Sequence, residues 1–226
     1  MFIKRSYEKE IMDDFSINDD RVDDALNEIK LVNKFLGGIS TSKAGFRFLL
    51  NHKKSNPMKV LDIGSGASDI FEALQKRYPN HNVYSLDRNE RICEVIKAEK
   101  TACPIYGDAQ NHPIKKESVS VVHASLFLHH FIEDDIKEII KSSLDIAKNG
   151  MIINDLRRSV WALIGIKLLI FLFSKSSMVK NDAPLSVKKG FLKSELIDML
   201  KRLKIINYKI KRKWAFRWLV VISKDQ

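Results

Sequence analysis

Short apolar runs alternate with amphipathic segments through the middle of this chain. The apolar runs have the length of buried strands, and they lie at residues 59–63, 83–86, 104–106, 119–124 and 151–154. The segments between them have the spacing of helices, at residues 70–78, 90–98 and 133–147. This alternation predicts an α/β fold with a doubly wound, mostly parallel sheet.

Helical spacing also precedes the sheet. From Arg21 to Leu36 an apolar residue recurs every three or four positions, and Gly37-Gly38 ends the run. That stripe is typical of a helix packed on a core. We therefore predict an N-terminal helical cap over residues 1–52, followed by the main domain over residues 53–226.

The pattern changes after the fifth strand. Ser159–Phe173 is strongly apolar and predicts a long helix, which a polar connection over 174–189 follows. A helix is expected from Glu195 to Leu203 with Ser194 as its N-cap. The strands 208–216 and 218–223 then predict a hairpin that completes a seven-stranded sheet with an antiparallel C-terminal strand.

A glycine turn between the first strand and the following helix is the most informative motif. Gly64 and Gly66 allow the backbone to turn tightly and to approach a ligand closely, because neither carries a Cβ. About twenty residues later the second strand ends in Asp87, whose carboxylate is placed to accept both hydroxyls of a ribose. This Rossmann-like arrangement predicts an adenosine-containing ligand.

The identity of that ligand is indicated by the end of the motif. Dinucleotide sites have a third glycine where this chain has Asp69, and a carboxylate there would repel a pyrophosphate at the helix N-terminus. S-adenosylmethionine (SAM) carries a ribose, a sulfonium and an ammonium but no phosphate. The motif therefore favours SAM over a dinucleotide.

Several further strings resemble the class I SAM-dependent methyltransferases. V-L-D-I-G-S-G at 60–66 is similar to their glycine motif, and Gly107-Asp108-Ala109 to their adenine-side loop. S-L-F-L-H-H-F at 125–131 and N-D-L-R-R-S at 154–159 resemble small-molecule enzymes related to quinone-biosynthesis and polyketide-tailoring methyltransferases. Ser68 departs from the family, which usually has a glycine there. The resemblance covers roughly residues 58–224.

The resemblance implies methyl transfer from SAM, which becomes S-adenosylhomocysteine, to a hydrophobic small-molecule acceptor. A phenol, an enol, a quinone-like compound or a polyketide would fit, with O-methylation preferred over C-methylation. The residues after the strands are the candidates, because ligands lie outside the carboxyl ends of a parallel sheet. Those assigned to the cofactor are Asp62, Gly64, Gly66, Asp87, Arg88, Asp108, Ala109 and Ser125.

Two histidines follow the fourth strand. His129 or His130 is the candidate base that removes a proton from the acceptor, and the alternative is a structural hydrogen bond or packing against the cap. Asn154, Asp155 and Arg157 are candidates for holding a polar group of the substrate. The alternative is that Asp155 forms a local ion pair with an arginine and that Asn154 caps the end of the strand.

The apolar segment after the fifth strand suggests a cover for the acceptor. We predict a lid insertion at about 159–190 that closes, with the N-terminal helices, over a hydrophobic acceptor; ordinary core is the alternative. A charged residue in place of Leu168 or Phe171 is then expected to abolish acceptor turnover and to spare SAM binding.

Charge leaves a second class of function open. The formal net charge is +11, and eleven Lys or Arg fall between Lys188 and Arg217. This basic region predicts a solvated face, peripheral contact with an anionic membrane, or nucleic acid, the last as an RNA-modifying methyltransferase or nucleic-acid binder. Trp214, Phe216 and Trp218 alternate along a predicted strand, so one core-facing side accounts for them without base stacking. A non-catalytic nucleoside-binding protein is a third alternative.

Compartment and metal content are also bounded. Cys93 and Cys103 have no CxxC spacing, and the N-terminus has no apolar leader, so we expect a cytoplasmic protein with reduced thiols. No metal site is expected, since adjacent histidines on a helix do not share an ion. The sequence leaves the oligomeric state open.

Overall fold

A seven-stranded sheet forms the centre of the molecule. The computed structural model describes residues 4–50, 57–66, 74 and 80–224. The strand order is β3-β2-β1-β4-β5-β7-β6. The strands are β1 (Lys59–Ile63), β2 (Asn82–Asp87), β3 (Cys103–Tyr106), β4 (Val119–Ser125), β5 (Ala147–Leu156), β6 (Tyr208–Lys213) and β7 (Arg217–Ser223).

The pairing of these strands confirms the predicted fold. β1 pairs in parallel with β2 and β4, β2 with β3, and β4 with β5, whereas β7 runs antiparallel to both β5 and β6. β1, β2, β3, β4 and β5 therefore end at one edge of the sheet. This edge is where a ligand of a doubly wound fold binds.

Seven helices of the described chain surround the sheet. They are α1 (Asp20–Phe35), α2 (Gly38–Leu50), α3 (Glu90–Glu99), α4 (Glu133–Ile146), α5 (Val160–Phe173), α6 (Ser177–Lys189) and α7 (Lys193–Arg202). Two short 3-10 turns lie at Ile11–Asp13 and Leu128–His130. The predicted helix at 70–78, with Ser68 and Asp69 before it, lies outside the described residues.

The fifth strand is longer than predicted. β5 begins at Ala147 and passes through Gly150, where the sequence suggested a stop, and its register with β4 shifts between Val119 and Val121. Gly150 has a φ of 137°, and a Cβ on it would lie 2.0 Å from the carbonyl oxygen of Ile222. The glycine is thus required for close pairing with β7, and it does not end an element.

The predicted polar connection over 174–189 is wrong, because most of it is the helix α6. The hydroxyl of Ser176 accepts a hydrogen bond from the Val179 amide and caps the helix. Met178, Val179 and Leu185 are buried on one side of α6 and so stabilise a helix that contains Pro184. Tertiary packing outweighs local propensity here.

The start of α7 also differs from the prediction. The helix begins at Lys193, so Ser194 lies within its first turn, and Leu192 occupies the N-cap position. The carboxylate of Glu195 accepts a hydrogen bond from the Leu192 amide at 2.7 Å. Glu195, three residues after the N-cap, thus supplies a capping hydrogen bond at the helix end where Ser194 was expected to act.

The C-terminal hairpin is confirmed, but its aromatic residues are not on one face. Residues 214–216 form the turn between β6 and β7. Trp218 is buried at 3% exposure, whereas Trp214 is 72% exposed. A shared core-facing side therefore does not account for these aromatic residues.

Both faces of the sheet are covered. α4 and α7 contribute Ile136, Ile140 and Leu196 to the larger core on one face. On the opposite face, α2 packs Phe46 and Leu50 against β5 and β7. A helix ahead of the sheet thus contributes to the core of the sheet itself, and the boundary drawn at residue 52 stays a prediction.

Buried polar side chains connect these N-terminal helices to the strand ends. The carboxylate of Asp62 lies 2.7 Å from His123 Nδ1, and His123 Nε2 lies 2.8 Å from the Ser42 hydroxyl. Asn154 donates to the same hydroxyl at 2.8 Å and accepts from Arg217. We call this series of contacts the polar chain.

Arg217 extends the polar chain to the end of α1. Its guanidinium donates to Asn33 Oδ1 at 2.8 Å and to the carbonyl oxygen of Leu36 at 3.0 Å, and the residue is only 1% exposed. Because buried polar groups are costly without partners, this side chain fixes the position of α1 over the sheet.

Replacement of Arg217 should test that role. Arg217→Met leaves the amide oxygens of Asn33 and Asn154 short of a donor, so we expect the free energy of unfolding to fall by about 2–4 kcal/mol. Urea denaturation measures the change. Lys211→Met, which removes an exposed cation from β6, is the matched control and should change the free energy by less than about 0.5 kcal/mol. Equal effects of the two variants would contradict the role.

Candidate active site

A single cavity of about 630 Å³ lies at the carboxyl edge of the sheet. Residues after β1, β2 and β3 line one part of it, and the two histidines after β4 line another. Helices α1, α5 and α6 supply the remaining wall. The predicted cofactor residues that line it are Asp62, Gly64, Gly66, Asp87, Arg88, Asp108, Ala109 and Ser125.

The glycine turn is built as its sequence predicts. Gly64 has a φ of 59°, and its amide donates to the carbonyl oxygen of Leu86 at 2.8 Å. A Cβ on Gly64 would lie 1.9 Å from the Phe127 ring, so only glycine fits. Gly66 has a φ of 49°, and the nearest atom to a Cβ there is 4.0 Å away. Gly66 therefore presents open backbone to the cavity.

Asp87 lies at the tip of β2 beside this turn. Its carboxylate accepts hydrogen bonds from the amides of Gly66 at 3.3 Å and Asn89 at 3.0 Å, and the residue is 8% exposed. Burial raises the pKa of the Asp87 carboxyl above its ordinary value. The remaining acceptor capacity of the carboxylate suits a pair of ribose hydroxyls.

The other predicted cofactor residues surround this position. Asp108 pairs with Arg88 at 3.6 Å and accepts from the Gln110 amide, which orients its carboxylate beside β3. The hydroxyl of Ser125 is buried and has no hydrogen-bond partner among the described residues. Asp62 is engaged by His123, and burial raises the pKa of its carboxyl. The side chain of Asp62 is thus committed to the polar chain.

His129 is held from two sides. Its Nδ1 lies 2.7 Å from Asp155 Oδ1, and Arg5 donates to its carbonyl oxygen at 2.9 Å. Burial by itself would raise the pKa of the Asp155 carboxyl, but the charge and hydrogen bond of His129 hold that pKa below its ordinary value. Within the described chain, His129 Nε2 has no hydrogen-bond partner, and Glu10 Oε1 is 3.8 Å away. The hydrogen-bonding capacity of this buried nitrogen is therefore unused among the described residues.

His130 has a different environment. Its Nδ1 lies 2.6 Å from Asp13 Oδ1 and 3.9 Å from Glu10 Oε1. Burial lowers the pKa of His130, but the hydrogen bond to Asp13 and the charges of Asp13 and Glu10 outweigh it, so the pKa is raised. The pKa of Asp13 is lowered well below its usual range, because His130 outweighs the effect of burial. The two residues form an ion pair.

A lysine neutralises the second carboxylate of this cluster. Lys189 Nζ lies 3.2 Å from both Glu10 and Asp13, and it is 2% exposed. The potential metal-ligand atoms of Glu10, His129 and His130 lie within 4.8 Å of one another. The two histidines are therefore closer to sharing a site than was predicted for adjacent residues. The ammonium supplies the positive charge that a metal ion would bring, so we assign no ion there.

The N-terminal segment carries these carboxylates across the cavity. We call residues 4–17 the strap. The carboxylate of Asp182 in α6 accepts from the amides of Ile11 and Met12 at 2.8 and 3.0 Å. Arg5 donates to the carbonyl oxygen of Lys189 at 2.6 Å. Strap and α6 are therefore bound together over the two histidines.

The predicted substrate residues are not equivalent. Arg157 lines the cavity, with its guanidinium 5.0 Å from the centre of the Phe216 ring. Asn154 and Asp155 are buried at 0% and 1% exposure and do not line it. Asn154 belongs to the polar chain, and Asp155 orients His129 in place of a local arginine. The structure thus brings only Arg157 of the three to a ligand.

The remaining wall is apolar. The stripe of α1, predicted to pack on a core, lines the cavity through residues such as Leu26 and Val32. α5 contributes Ala162, Gly165, Ile166 and Leu169. Leu168 and Phe171, which the sequence suggested would face the acceptor, are 58% and 82% exposed on the other side of α5. The prediction that Leu168 and Phe171 face the acceptor is therefore wrong.

Comparison with known proteins agrees with this arrangement. Residues 60–150 match the model of a methyltransferase domain. The plantazolicin methyltransferase BamL, solved with a triazolic desmethylPZN analogue and S-adenosylhomocysteine, superposes with a TM-score of 0.66 at 14% identity. The alignment covers 88% of this chain and 90% of that one. Over residues 60–150 the chain thus resembles methyltransferase domains, and its fold is that of this neighbour.

Two curated relatives each match about a third of this chain. A demethylmenaquinone methyltransferase of Thermotoga maritima is 30% identical over 77 residues, which are 34% of each chain. A malonyl-[acyl-carrier protein] O-methyltransferase of Xylella fastidiosa is 32% identical over 82 residues, 34% of this chain and 28% of that protein. The chain thus spans about a third of the length of the curated relatives it matches.

The sequence did not reveal the strap or its contacts with Asp182 and Lys189. Glu10 and Asp13 meet Lys189 from 176 or more positions away, and no motif marks any of them. The one available signal was the acidic balance of the first thirty residues against the basic residues from Lys188 onward. Charge alone does not say which acid meets which base.

The ion pair of Asp13 and His130 predicts a measurable titration. Since the folded pKa of His130 is raised, the pair stabilises the fold fully below about pH 6.5, and this contribution is lost as the pH rises through the folded value. The contribution of Asp13 is present above about pH 3.9 and is lost as the pH falls through its lowered value. NMR titration of the His130 ring should give a pKa above about 6.5.

Asp13→Asn should lower the pKa of His130, because it removes the nearest carboxylate. Asp14→Asn is the matched control and should leave that pKa unchanged, since Asp14 bonds to Ser16 instead. A His130 that titrates alike in both variants would contradict the assigned pair.

Proposed function

We propose that the protein transfers a methyl group from SAM to a hydrophobic small-molecule acceptor, with an oxygen atom as the preferred target. The observation that carries this proposal is the continuity of one cavity. The carboxylate of Asp87 lies in its cofactor part, the free nitrogen of His129 lies in the same cavity, and the walls beyond are apolar. One cavity can thus hold the donor beside an apolar acceptor.

The cofactor part suits the adenosyl group of SAM. Asp87 would hold the ribose hydroxyls, Asp108 the exocyclic amine of adenine, and the Ala109 amide the ring. The open backbone of Gly66 and the unpartnered Ser125 hydroxyl lie on the same wall. These groups are hydrogen-bond partners for a nucleoside, and the carboxylates favour a cationic ligand over a pyrophosphate.

His129 is the proposed base. SAM supplies a methyl group that is already activated by the positive sulfur. Asp155 fixes the ring through Nδ1 and thereby leaves Nε2 to accept the proton of an acceptor hydroxyl as the new C–O bond forms. Glu10 Oε1, 3.8 Å from Nε2, stabilises the resulting imidazolium. His130 is held by Asp13 and serves to position the strap.

The acceptor part favours a compact apolar molecule with one polar end. Its walls are formed by α1, α5 and α6, and Arg157 offers a cation to an anionic or carbonyl oxygen. Quinone-like phenols, enols and polyketides have this character. The two curated relatives are named as a demethylmenaquinone methyltransferase and a malonyl-[acyl-carrier protein] O-methyltransferase. C-methylation is the nearest variant of the proposed reaction. A mostly apolar cavity does not favour the alternative of RNA as acceptor.

Ligand-induced stabilisation tests the cofactor. SAM and S-adenosylhomocysteine should raise the melting temperature, and NAD should not. Asp87→Asn should weaken SAM binding by about tenfold or more, because a charged hydrogen-bond acceptor is lost from the ribose site. Asp198→Asn, an exposed carboxylate on α7, is the matched control. Stabilisation by NAD alone would refute the proposal.

Acceptor turnover tests the base. With a panel of hydroxynaphthoquinones, phenols and enols, His129→Gln should lower kcat by about 10²–10⁴-fold and leave SAM binding intact. Asp155→Asn should lower it in the same direction, because the ring loses its orientation. His112→Gln is the control, since His112 does not line the cavity. Full activity of His129→Gln would exclude it as the base. Methylation of RNA, without turnover of the panel, would instead support an RNA-modifying methyltransferase.

A further inference from the structure

We infer that the outer face of α5 docks the protein on an anionic lipid membrane. The inference goes beyond the proposed methyl transfer and does not depend on it. Five apolar side chains on this face are 52–82% exposed, and they are Trp161, Ile164, Leu168, Phe171 and Leu172. We call them the α5 face.

The α5 face is continuous along the helix. At about 100° per residue its five members fall within an arc of about 100°, so they form one stripe over three turns. The residues of α5 that line the cavity fall on the adjacent arc. The helix is thus apolar on two sides, and only one of them is accounted for by the cavity. An exposed apolar stripe of this size marks an interaction surface.

The charge around the stripe identifies the partner. From Arg157 to Asn181 the chain contains five cations and no carboxylate. Three of these cations, Lys167, Lys175 and Lys180, are exposed. Aromatic and aliphatic side chains bordered only by lysine are the composition of a helix that lies in the interface of an anionic bilayer.

The neighbouring elements extend the same character. The carboxylate of Glu28 in α1 accepts from the Lys175 and Ser176 amides at the end of α5. Leu31 and Phe35 lie on that side of α1 by helical spacing, and they are 57% and 68% exposed. The carboxylate of Glu28 is therefore engaged by backbone amides, and further apolar surface adjoins the α5 face.

The inferred mode of binding is peripheral. Among the described residues there is no helix whose length and apolarity would allow it to cross a bilayer. α5 has 14 residues, which is short of the roughly 20 that a spanning helix needs. We therefore place α5 along the membrane surface, with its cavity-lining side against the protein and the α5 face among the lipids.

Vesicle flotation tests the inference with the full chain. The probes are vesicles of phosphatidylcholine and vesicles with equal amounts of phosphatidylcholine and phosphatidylglycerol. Binding should be at least about tenfold stronger to the anionic vesicles and should weaken as salt is added. Leu168→Asn with Phe171→Asn should reduce binding to the anionic vesicles by at least about tenfold. Lys167→Gln with Lys175→Gln should reduce it severalfold.

A matched pair of substitutions controls for general loss of surface hydrophobicity. Ile132→Asn with Ile206→Asn changes side chains that are 52% and 80% exposed elsewhere, and it should leave vesicle binding unchanged. Stabilisation by SAM should be the same in every variant, which separates this test from the proposed function. Failure of the wild type to bind anionic vesicles would overturn the inference. So would equal binding by the Leu168→Asn with Phe171→Asn variant and the Ile132→Asn with Ile206→Asn variant. So would a stable dimer that covers the α5 face and dissociates in Leu168→Asn with Phe171→Asn.

Discussion

The polar chain of buried hydrogen bonds is the constraint on which the rest of this structure depends. It joins Asp62 through His123, Ser42 and Asn154 to Arg217, and so it links β1, β4, β5 and β7 to the two N-terminal helices. α1 is also a wall of the cavity. The shape of the cavity is therefore set in part by this polar chain, because an error in the placement of its side chains would leave buried polar groups without partners.

The sequence predicted those parts of the structure that local rules decide. β1 was predicted at its observed ends, and the positions of Gly64, Gly66 and Asp87 follow from the need for a tight turn and a strand-end carboxylate. α6 was missed, since burial of its apolar side overrides Pro184. The strap was missed for a different reason. Glu10, Asp13 and Lys189 are ordinary surface residues by sequence, and only the tertiary fold brings them together and buries Glu10 and Lys189.

Two adjacent histidines show how little a motif says about roles. His129 and His130 share one 3-10 turn, and their rings are only 4.3 Å apart. Asp155 reaches one ring and Asp13 the other, so His129 keeps an Nε2 without a hydrogen-bond partner among the described residues, while the His130 ring is bound to the strap. Neither carboxylate could be assigned to its histidine from spacing, because Asp155 was a candidate substrate ligand and no motif marks Asp13.

The strap affects the order in which parts of the molecule fold. The residues of the cofactor part come from positions 62–125, whose contacts close over moderate separations in the chain. The cluster around His129 needs Glu10 and Lys189, which are 179 positions apart. Contacts of that separation are slow to form, since a long loop must close first. The contacts that join the strap to α6 are therefore expected to close after those of the strand ends around Asp87.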